Sequence, residues 1–397
     1  MTATDNKQRA RLVLKNGKEK SLYRRHPWVF SGAVERIIGH PKEGELVDVY
    51  DSRRQFLATG FFQHESIMVK LLRFGNPEIN AAFWRERLQA ALDYRKALQL
   101  WDREDTNVFR LVHSEGDNLS GLIADYYHGV LVLQAHAEGM HRMFPELVPL
   151  FRELLGDRLV AVYDKSSATL PIRSSVDGFC LGNVPEAWEI KEYGNRFLIR
   201  FPEAQKTGFF IDQRENRRLL SGFCRGKRVL NTFGYTGGFS VSALQGGAAY
   251  VETVDISAKA IRQCEENVSL NCPQAPHQGV VADVLPYLTQ TDRTFDVMVL
   301  DPPAFAKNHR SLQQGLKAYR HINQQALEKI RPGGFLFTFS CSQAVSKEDF
   351  KTMLFSAAAQ ANREVRIVSP LTQAADHPVN IYHPEGEYLK GLLVYVE

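Results

Sequence analysis

Three short stretches hold residue types that could do chemistry together, and each follows an apolar run. The first is Asn231-Thr232-Phe233-Gly234-Tyr235-Thr236-Gly237-Gly238, after Val229-Leu230. Glycines let such a turn approach a ligand closely, and the helix after it offers free N–H groups. The next apolar run, Tyr250 to Val254, ends in Asp255, about 20 residues beyond the turn, a spacing that suits a ribose diol. A nucleoside-bearing cofactor is implied. The turn is not G-x-G-x-x-G, which disfavours a pyrophosphate-binding dehydrogenase, and a tight connection that merely needs glycine fits the same residues. The second stretch is Asp301-Pro302-Pro303, after Phe295 to Leu300. Two prolines fix the backbone and remove donors, so an acid is frozen beside carbonyls that can clasp a planar, amine-bearing ring. Asp283, after Gly279 to Val281, is placed either to accept from such an amine or to cap a helix. The third is Ser340-Cys341-Ser342, after Phe335 to Phe339. Cys341 is a candidate nucleophile, although a lone cysteine is more often a small buried hydrophobe.

These residues can meet only if the elements before them stand side by side. Phe239, Val241 and Leu244 recur at helical spacing, Ile261 to Leu270 reads as a second helix, and strands alternate with helices throughout. That alternation predicts an α/β fold, a doubly wound Rossmann-like sheet with its site at the carboxyl ends of the strands. Upstream, Lys206-Thr207-Gly208 is a flexible entry to a polar stretch containing Gln213 and Arg214, which opens a helix to about Leu220. Such a segment can fold over a cofactor; a surface loop with a charged helix reads equally well. The cofactor-binding set expected is Asn231, Phe233, Gly234, Tyr235, Thr236, Gly237, Asp255, Ile256, Asp283, Asp301, Pro302, Gln213 and Arg214.

The chain of 397 residues is long enough for two or three domains. Residues 11 to 74 read as short strands separated by turns at Asn16-Gly17, Lys42-Glu43-Gly44 and Asp51-Ser52, a small β-barrel. Residues 1 to 74 hold fourteen Lys/Arg against eight Asp/Glu, an excess of six where the whole chain carries +4. A basic module on a slightly acidic body points to an anionic partner. Lys18, Lys20, Arg24 and Arg25, near His26 and Trp28, mix cations with an aromatic, as phosphate contact with base stacking requires; Trp28 alone reads better as core. After Gly75-Asn76-Pro77 come a helix from Ala81 to Trp101, then strands around a second helix from Met143 to Leu155, an α+β module in which His113 and Glu115 read as a candidate site or, equally well, as an exposed turn. The expected domains are 1–76, 77–192 and 193–397. Five scattered cysteines, with no C-x-x-C pair and no His cluster, argue against a disulfide framework and a metal site. No run reaches membrane-spanning length, so a cytoplasmic protein with no membrane partner is expected.

The glycine turn, Asp255, Asp283 and Asp301-Pro302-Pro303, in that order, resemble the class I S-adenosylmethionine-dependent methyltransferases over about residues 195 to 397. In that setting Cys341 gains meaning. Carbon 5 of a pyrimidine is a poor nucleophile, and a thiolate adding at C6 makes it an enamine; an amine-methylating enzyme needs no such help. The order of modules, with Arg24-Arg25-His26-Pro27-Trp28, Lys206-Thr207-Gly208, Ser340-Cys341-Ser342, Ala374-Ala375-Asp376-His377-Pro378 and Tyr388-Leu389-Lys390-Gly391, resembles bacterial large-subunit ribosomal RNA cytosine-5 methyltransferases of the RlmI type, which carry an N-terminal PUA domain. The resemblance implies 23S rRNA as partner, naked or in a large-subunit precursor, S-adenosyl-L-methionine as donor, Cys341 as nucleophile and Asp301 on the ring at N3. Where many RNA cytosine-5 methyltransferases carry a second cysteine, this chain has Ala304. Asp376, His377 and Glu385 are candidates for the base that removes the C5 proton, or are structural. The alternatives are an amine methyltransferase acting on an rRNA purine, and a non-catalytic RNA-binding or ribosome-assembly protein. A homodimer is compatible with either.

Overall fold

The structure, a computed structural model, describes residues 9–170 and 176–397. It divides into two compact units. One holds the chain up to Glu186 with Arg200–Gly208 and Ala375–Gly386; the other holds Ala187–Ile199, Phe209–Ala374 and Glu387–Glu397.

In the first unit, alternating side chains build two sheets with separate cores. Six strands run in the order Trp28–Phe30, Ile67–Phe74, Phe56–Phe62, Leu46–Tyr50, Ala10–Leu14, Val34–Ile38. Val47 and Val49 point inward from one strand onto Leu12, Leu14, Val29 and Val69, the two-residue period of a half-buried sheet. Val34–Ile38 has almost no buried residue because it pairs along an edge. The sequence therefore gives it no strand signal. The second sheet runs Gly178–Leu181, Ala161–Asp164, Val130–Ala135, Leu122–Tyr127, Val108–His113. Its two middle hairpin strands are buried on both faces, and Phe83, Trp84, Leu88, Leu147 and Phe151 from helices Ala81–Ala97 and Phe144–Leu155 join their core.

The second unit is built on seven strands: β1 (Arg228–Thr232), β2 (Tyr250–Asp255), β3 (His277–Val281), β4 (Phe295–Leu300), β5 (Ile330–Ser340), β6 (Val365–Leu371) and β7 (Lys390–Val396). Their order is β3-β2-β1-β4-β5-β7-β6. All pairs are parallel except those of β7. Met298 and Leu300 of β4 are fully buried with Leu230 of β1 and Leu336 of β5, the continuous apolar filling that a parallel sheet covered on both faces demands. The chain runs outward from β1 to β3 and returns to β4 on the other side of β1. That reversal opens a crevice at the strand carboxyl ends, and the glycine turn, Asp301 and Cys341 all follow the strands that line it.

Candidate active site

The turn after β1 is held in a shape that ordinary residues resist. Phe233, Tyr235 and Gly237 have φ of 54°, 45° and 81°, left-handed values that cost a non-glycine residue energy and cluster at functional sites. A Cβ on Gly237 would run into Cys264 Sγ as well, so glycine is required there twice over. Asp255 at the end of β2 secures the turn: Oδ2 accepts from the Tyr235 N–H at 3.0 Å and Oδ1 from the Ser257 N–H at 2.9 Å. A carboxylate offers about four lone-pair positions, so Asp255 keeps acceptor capacity for a pair of hydroxyls. Ile256 beside it is 72% exposed, an apolar face suited to a flat ring.

Beneath the turn runs a buried polar chain. Asn231 Nδ2 donates to Ser240 Oγ at 2.8 Å, Ser240 meets Thr253 Oγ1 at 2.6 Å, and Thr253 meets His277 Nε2 at 2.8 Å. Burial holds His277 down at about 4, so the ring is neutral and serves in this chain as a hydrogen-bonding group. Asn231 Oδ1 and Thr236 Oγ1 are buried with no hydrogen-bond partner among the described residues. Two leftover acceptors at a glycine turn, beside an acid of β2, fit the polar demands of an adenosyl cofactor. Asp283 caps the helix Val284–Gln290 through Oδ1, which accepts from Leu285 N at 3.2 Å; of its two expected roles, this is the one visible in the fold.

The stretch before β1 packs onto the turn. Phe210 meets the Tyr235 ring edge-on at 5.3 Å, and Arg217 donates to the Phe210 carbonyl at 2.9 Å. Gln213 and Arg214 are 2% and 1% exposed. Gln213 accepts from Asn216 Nδ2 at 2.6 Å, and Arg214 Nε meets Glu215 at 3.1 Å. The Asp212 carboxylate accepts from Tyr388 Oη at 2.7 Å.

Cys341 lies just past β5. Its Sγ is 3.9 Å from the Pro302 carbonyl, which places the cysteine against the corner that carries Asp301. Tyr319, buried in helix Leu312–Lys329, meets Ser342 Oγ at 2.9 Å, and that hydroxyl accepts from Ala306 N at 3.1 Å. Lys390, 5% exposed, donates to the Ser342 carbonyl at 2.7 Å. Tyr319 and Lys390 escaped the sequence reading. Lys390 stood in the stretch Tyr388-Leu389-Lys390-Gly391 that carries the family resemblance, and as a lysine entering the apolar run Leu392 to Val396, but neither signal gave it a role. Among the other cysteines, burial pushes Cys224 and Cys264 up to about 12 and raises Cys180 and Cys272.

A family profile described as S-adenosylmethionine-dependent methyltransferase matches residues 109–384, and one described as a PUA-like domain matches residues 12–74. Ribosomal RNA large subunit methyltransferase I of Cronobacter sakazakii is 39% identical over 396 residues, covering 97% of this chain and 99% of the relative. The Shigella boydii protein of the same name is 39% identical over 96% of this chain and 98% of its own length. The chain belongs to this S-adenosylmethionine-dependent methyltransferase family. A solved structure of a candidate methyltransferase from Streptococcus mutans superposes with a TM-score of 0.84 at 24% identity, over 97% of this chain and 99% of that one. Another, described as a complex with SAH, gives the same TM-score, identity and coverage. At that identity the likeness speaks for the fold.

The methyltransferase's first unit carries the expected cations on its surface: Lys18, Lys20, Arg24 and Arg25 are exposed around the short helix Lys20–Tyr23. It also carries a groove of about 480 Å³ lined by Arg25, Arg73, Arg87, Asn118, Asn380 and Tyr382. Arg73 and Arg87 both lie over the Phe83 ring at 5.5 Å, and Arg87 Nε is buried with no partner among the described residues. Trp28 is part of the unit's framework, its Nε1 donating to Glu115 at 2.8 Å and its ring 4.3 Å from His383. His113 and Glu115 are each 8% exposed, which corrects the expectation of an exposed turn. Burial works to raise Glu115, but Lys70 and hydrogen bonds from Ser114, Ser120 and Trp28 hold it at about 2, a carboxylate fixed for architecture. Asp376 accepts from Arg110 N at 2.8 Å and meets His377 Nδ1 at 3.0 Å, and Glu385 lies 3.4 Å from His26. All three candidate bases are engaged in the first unit's own contacts. Among the described residues no cluster of His, Cys, Asp and Glu could hold a metal, and no helix is long and apolar enough to cross a membrane.

Proposed function

We propose that this methyltransferase forms 5-methylcytosine in large-subunit ribosomal RNA through a covalent adduct between Cys341 and the base. The observation that carries the reading is Cys341 Sγ lying 3.9 Å from the Pro302 carbonyl, at the crevice end of the sheet that also holds the glycine turn. Four other thiols are pushed up by burial, and this one borders the corner built to clasp a ring. S-adenosylmethionine supplies, when bound, a methyl group on a positively charged sulfur. The chain's residues make the acceptor.

The Cys341 thiolate forms the S–C6 bond as the C5=C6 π bond breaks, and the electrons pass to C5. Asp301, bordering the same corner, would act in its protonated form, giving its proton to N3 as the thiolate adds and taking it back as the ring is restored. C5 takes the methyl group, loses its proton to a base, and the S–C6 bond breaks to restore the ring and the thiolate. A cytosine in structured RNA must leave its stack to reach this site. The groove with Arg25, Arg73 and Arg87, with Lys18, Lys20 and Arg24, would hold phosphates of the RNA. The relatives named for ribosomal RNA large-subunit methylation support that substrate.

The test is to incubate the chain with deproteinised 23S rRNA and methyl-labelled S-adenosylmethionine and to identify the labelled nucleoside. Label is expected in 5-methylcytidine, and Cys341→Ala should lower the rate by at least about a thousandfold, as loss of a covalent nucleophile does. Label in a methylated purine, or activity surviving the substitution, overturns the reading in favour of amine methylation.

A further inference from the structure

A cysteine attacks as its thiolate, and a thiolate at neutral pH needs positive charge beside it. The surroundings of Cys341 supply mostly the opposite. The Pro302 carbonyl faces its Sγ, and Tyr319 presents a phenol at Ser342. The cation comes from β7. In the antiparallel ladder between β5 and β7, Lys390 stands directly opposite Ser340. Its Nζ donates to the Ser342 carbonyl, so the ammonium is anchored on both sides of Cys341 in the chain: by register to the residue before it and by a hydrogen bond to the residue after it. Gln373 secures the approach, its Oε1 accepting from Tyr388 N at 3.2 Å and Leu389 N at 3.3 Å. A lysine that is 5% exposed and aimed at the neighbour of a cysteine has given up hydration for a reason.

We infer that Lys390, pinned by the Ser342 carbonyl, is the cation that keeps Cys341 ionised, a positioning residue for the nucleophile. The inference rests on the reading of Cys341 as nucleophile. Ionisation breaks the S–H bond and releases its proton to solvent. Lys390 forms no bond to substrate. Burial pulls Lys390 below its ordinary value, while the charges of Cys341 and Glu387 push it back up and Lys347 opposes them. Glu387 is itself paired with Lys347, which leaves Cys341 as the anion that Lys390 serves. Raised by burial, Tyr319 stays a neutral phenol at working pH and competes for no charge.

The experiment measures alkylation of Cys341 in the full-length chain by iodoacetamide as a function of pH, following its peptide by mass spectrometry without RNA or cofactor. Lys390→Met is expected to move the Cys341 midpoint up by about one pH unit or more and to slow its alkylation at pH 7 about tenfold. Lys390→Arg, which keeps the charge, should restore most of the shift. The Cys180 peptide should titrate alike in all three proteins. A Cys341 midpoint unchanged in Lys390→Met overturns the inference. If that variant does not fold, the unsubstituted chain decides: a midpoint at or above the ordinary thiol value of about 8.5 overturns it equally. The two readings fail separately. Loss of 5-methylcytidine in Cys341→Ala with an unshifted titration removes the role of Lys390 and keeps the nucleophile. Activity that survives Cys341→Ala removes the nucleophile and with it the purpose assigned to Lys390, whatever the titration shows.

Discussion

Single residues in this chain work by satisfying one group of the backbone while leaving capacity for another. Asp255 accepts from Tyr235 N and Ser257 N, so it shapes the glycine turn before any ligand arrives. Asp255→Asn keeps the shape of the side chain but turns one acceptor into a donor facing an N–H. Hydrogen bonds to charged groups contribute about 1.5–3 kcal/mol, so affinity for S-adenosylhomocysteine should fall about 10- to 100-fold by titration calorimetry. An unchanged dissociation constant would remove Asp255 from the cofactor site. Asp255, Asp301 and Cys341 were legible in the sequence because each follows an apolar run at a strand end. Lys390 was not, because its meaning arises from pairing β7 against β5, and Ser342 is 48 residues away in the chain. Periodicity reports which face a residue occupies, and says nothing about which distant strand lies opposite.

At the scale of elements, the hairpin before the catalytic sheet shows how a charged pattern hides a core role. Trp188–Glu192 pairs with Asn195–Ile199 around Tyr193 and Gly194, both with positive φ. By its alternation of charged residues, Trp188-Glu189-Ile190-Lys191-Glu192 reads as a solvated stretch. Yet Glu192 is 1% exposed and receives Arg217 Nε at 2.7 Å and Nη2 at 2.6 Å. The same guanidinium lies over Phe209 at 4.4 Å and holds the Phe210 carbonyl, so the hairpin fixes the segment that packs on the cofactor turn. Breaking a buried pair by removing one partner costs about 3–5 kcal/mol because it strands the other charge. Glu192→Gln should therefore lower the urea midpoint of the catalytic unit's transition by that amount of stability, and Glu192→Gln with Arg217→Met should recover part of it. A single variant within about 0.5 kcal/mol of the parent would show that the pair is not fixed in solution. The expected boundary at 192/193 falls between this glutamate and its partner, a consequence of reading boundaries from composition when a buried ion pair crosses them.

Over the whole molecule, the sequence separated a basic amino-terminal module from an acidic remainder, and charge counting could do that without a fold. It could not show that Arg73, from the first sheet, and Arg87, from the helix of the second, converge over one ring, Phe83. Nor could it show that residues near position 380 return to line the same groove. Two guanidiniums near one ring repel each other, and Arg87 is pulled below its ordinary value by burial, with Glu86 opposing the effect and Arg73 adding to it. Such an arrangement is costly until an anion neutralises it, which is the electrostatic logic of a phosphate site. Each phosphate neutralised on single-stranded RNA releases counterions and adds about 0.7 to the slope of log affinity against log salt. Binding of a 23S rRNA fragment, followed by fluorescence anisotropy from 50 to 300 mM salt, should therefore give a slope that falls by about 2 when Arg25, Arg73 and Arg87 are changed together to glutamine. The cofactor affinity of the same variant, whose changes all lie in the first unit, should be unaltered. A salt slope equal to that of the parent would mean that the phosphates lie elsewhere, with the exposed cations around helix Lys20–Tyr23 the next surface to substitute.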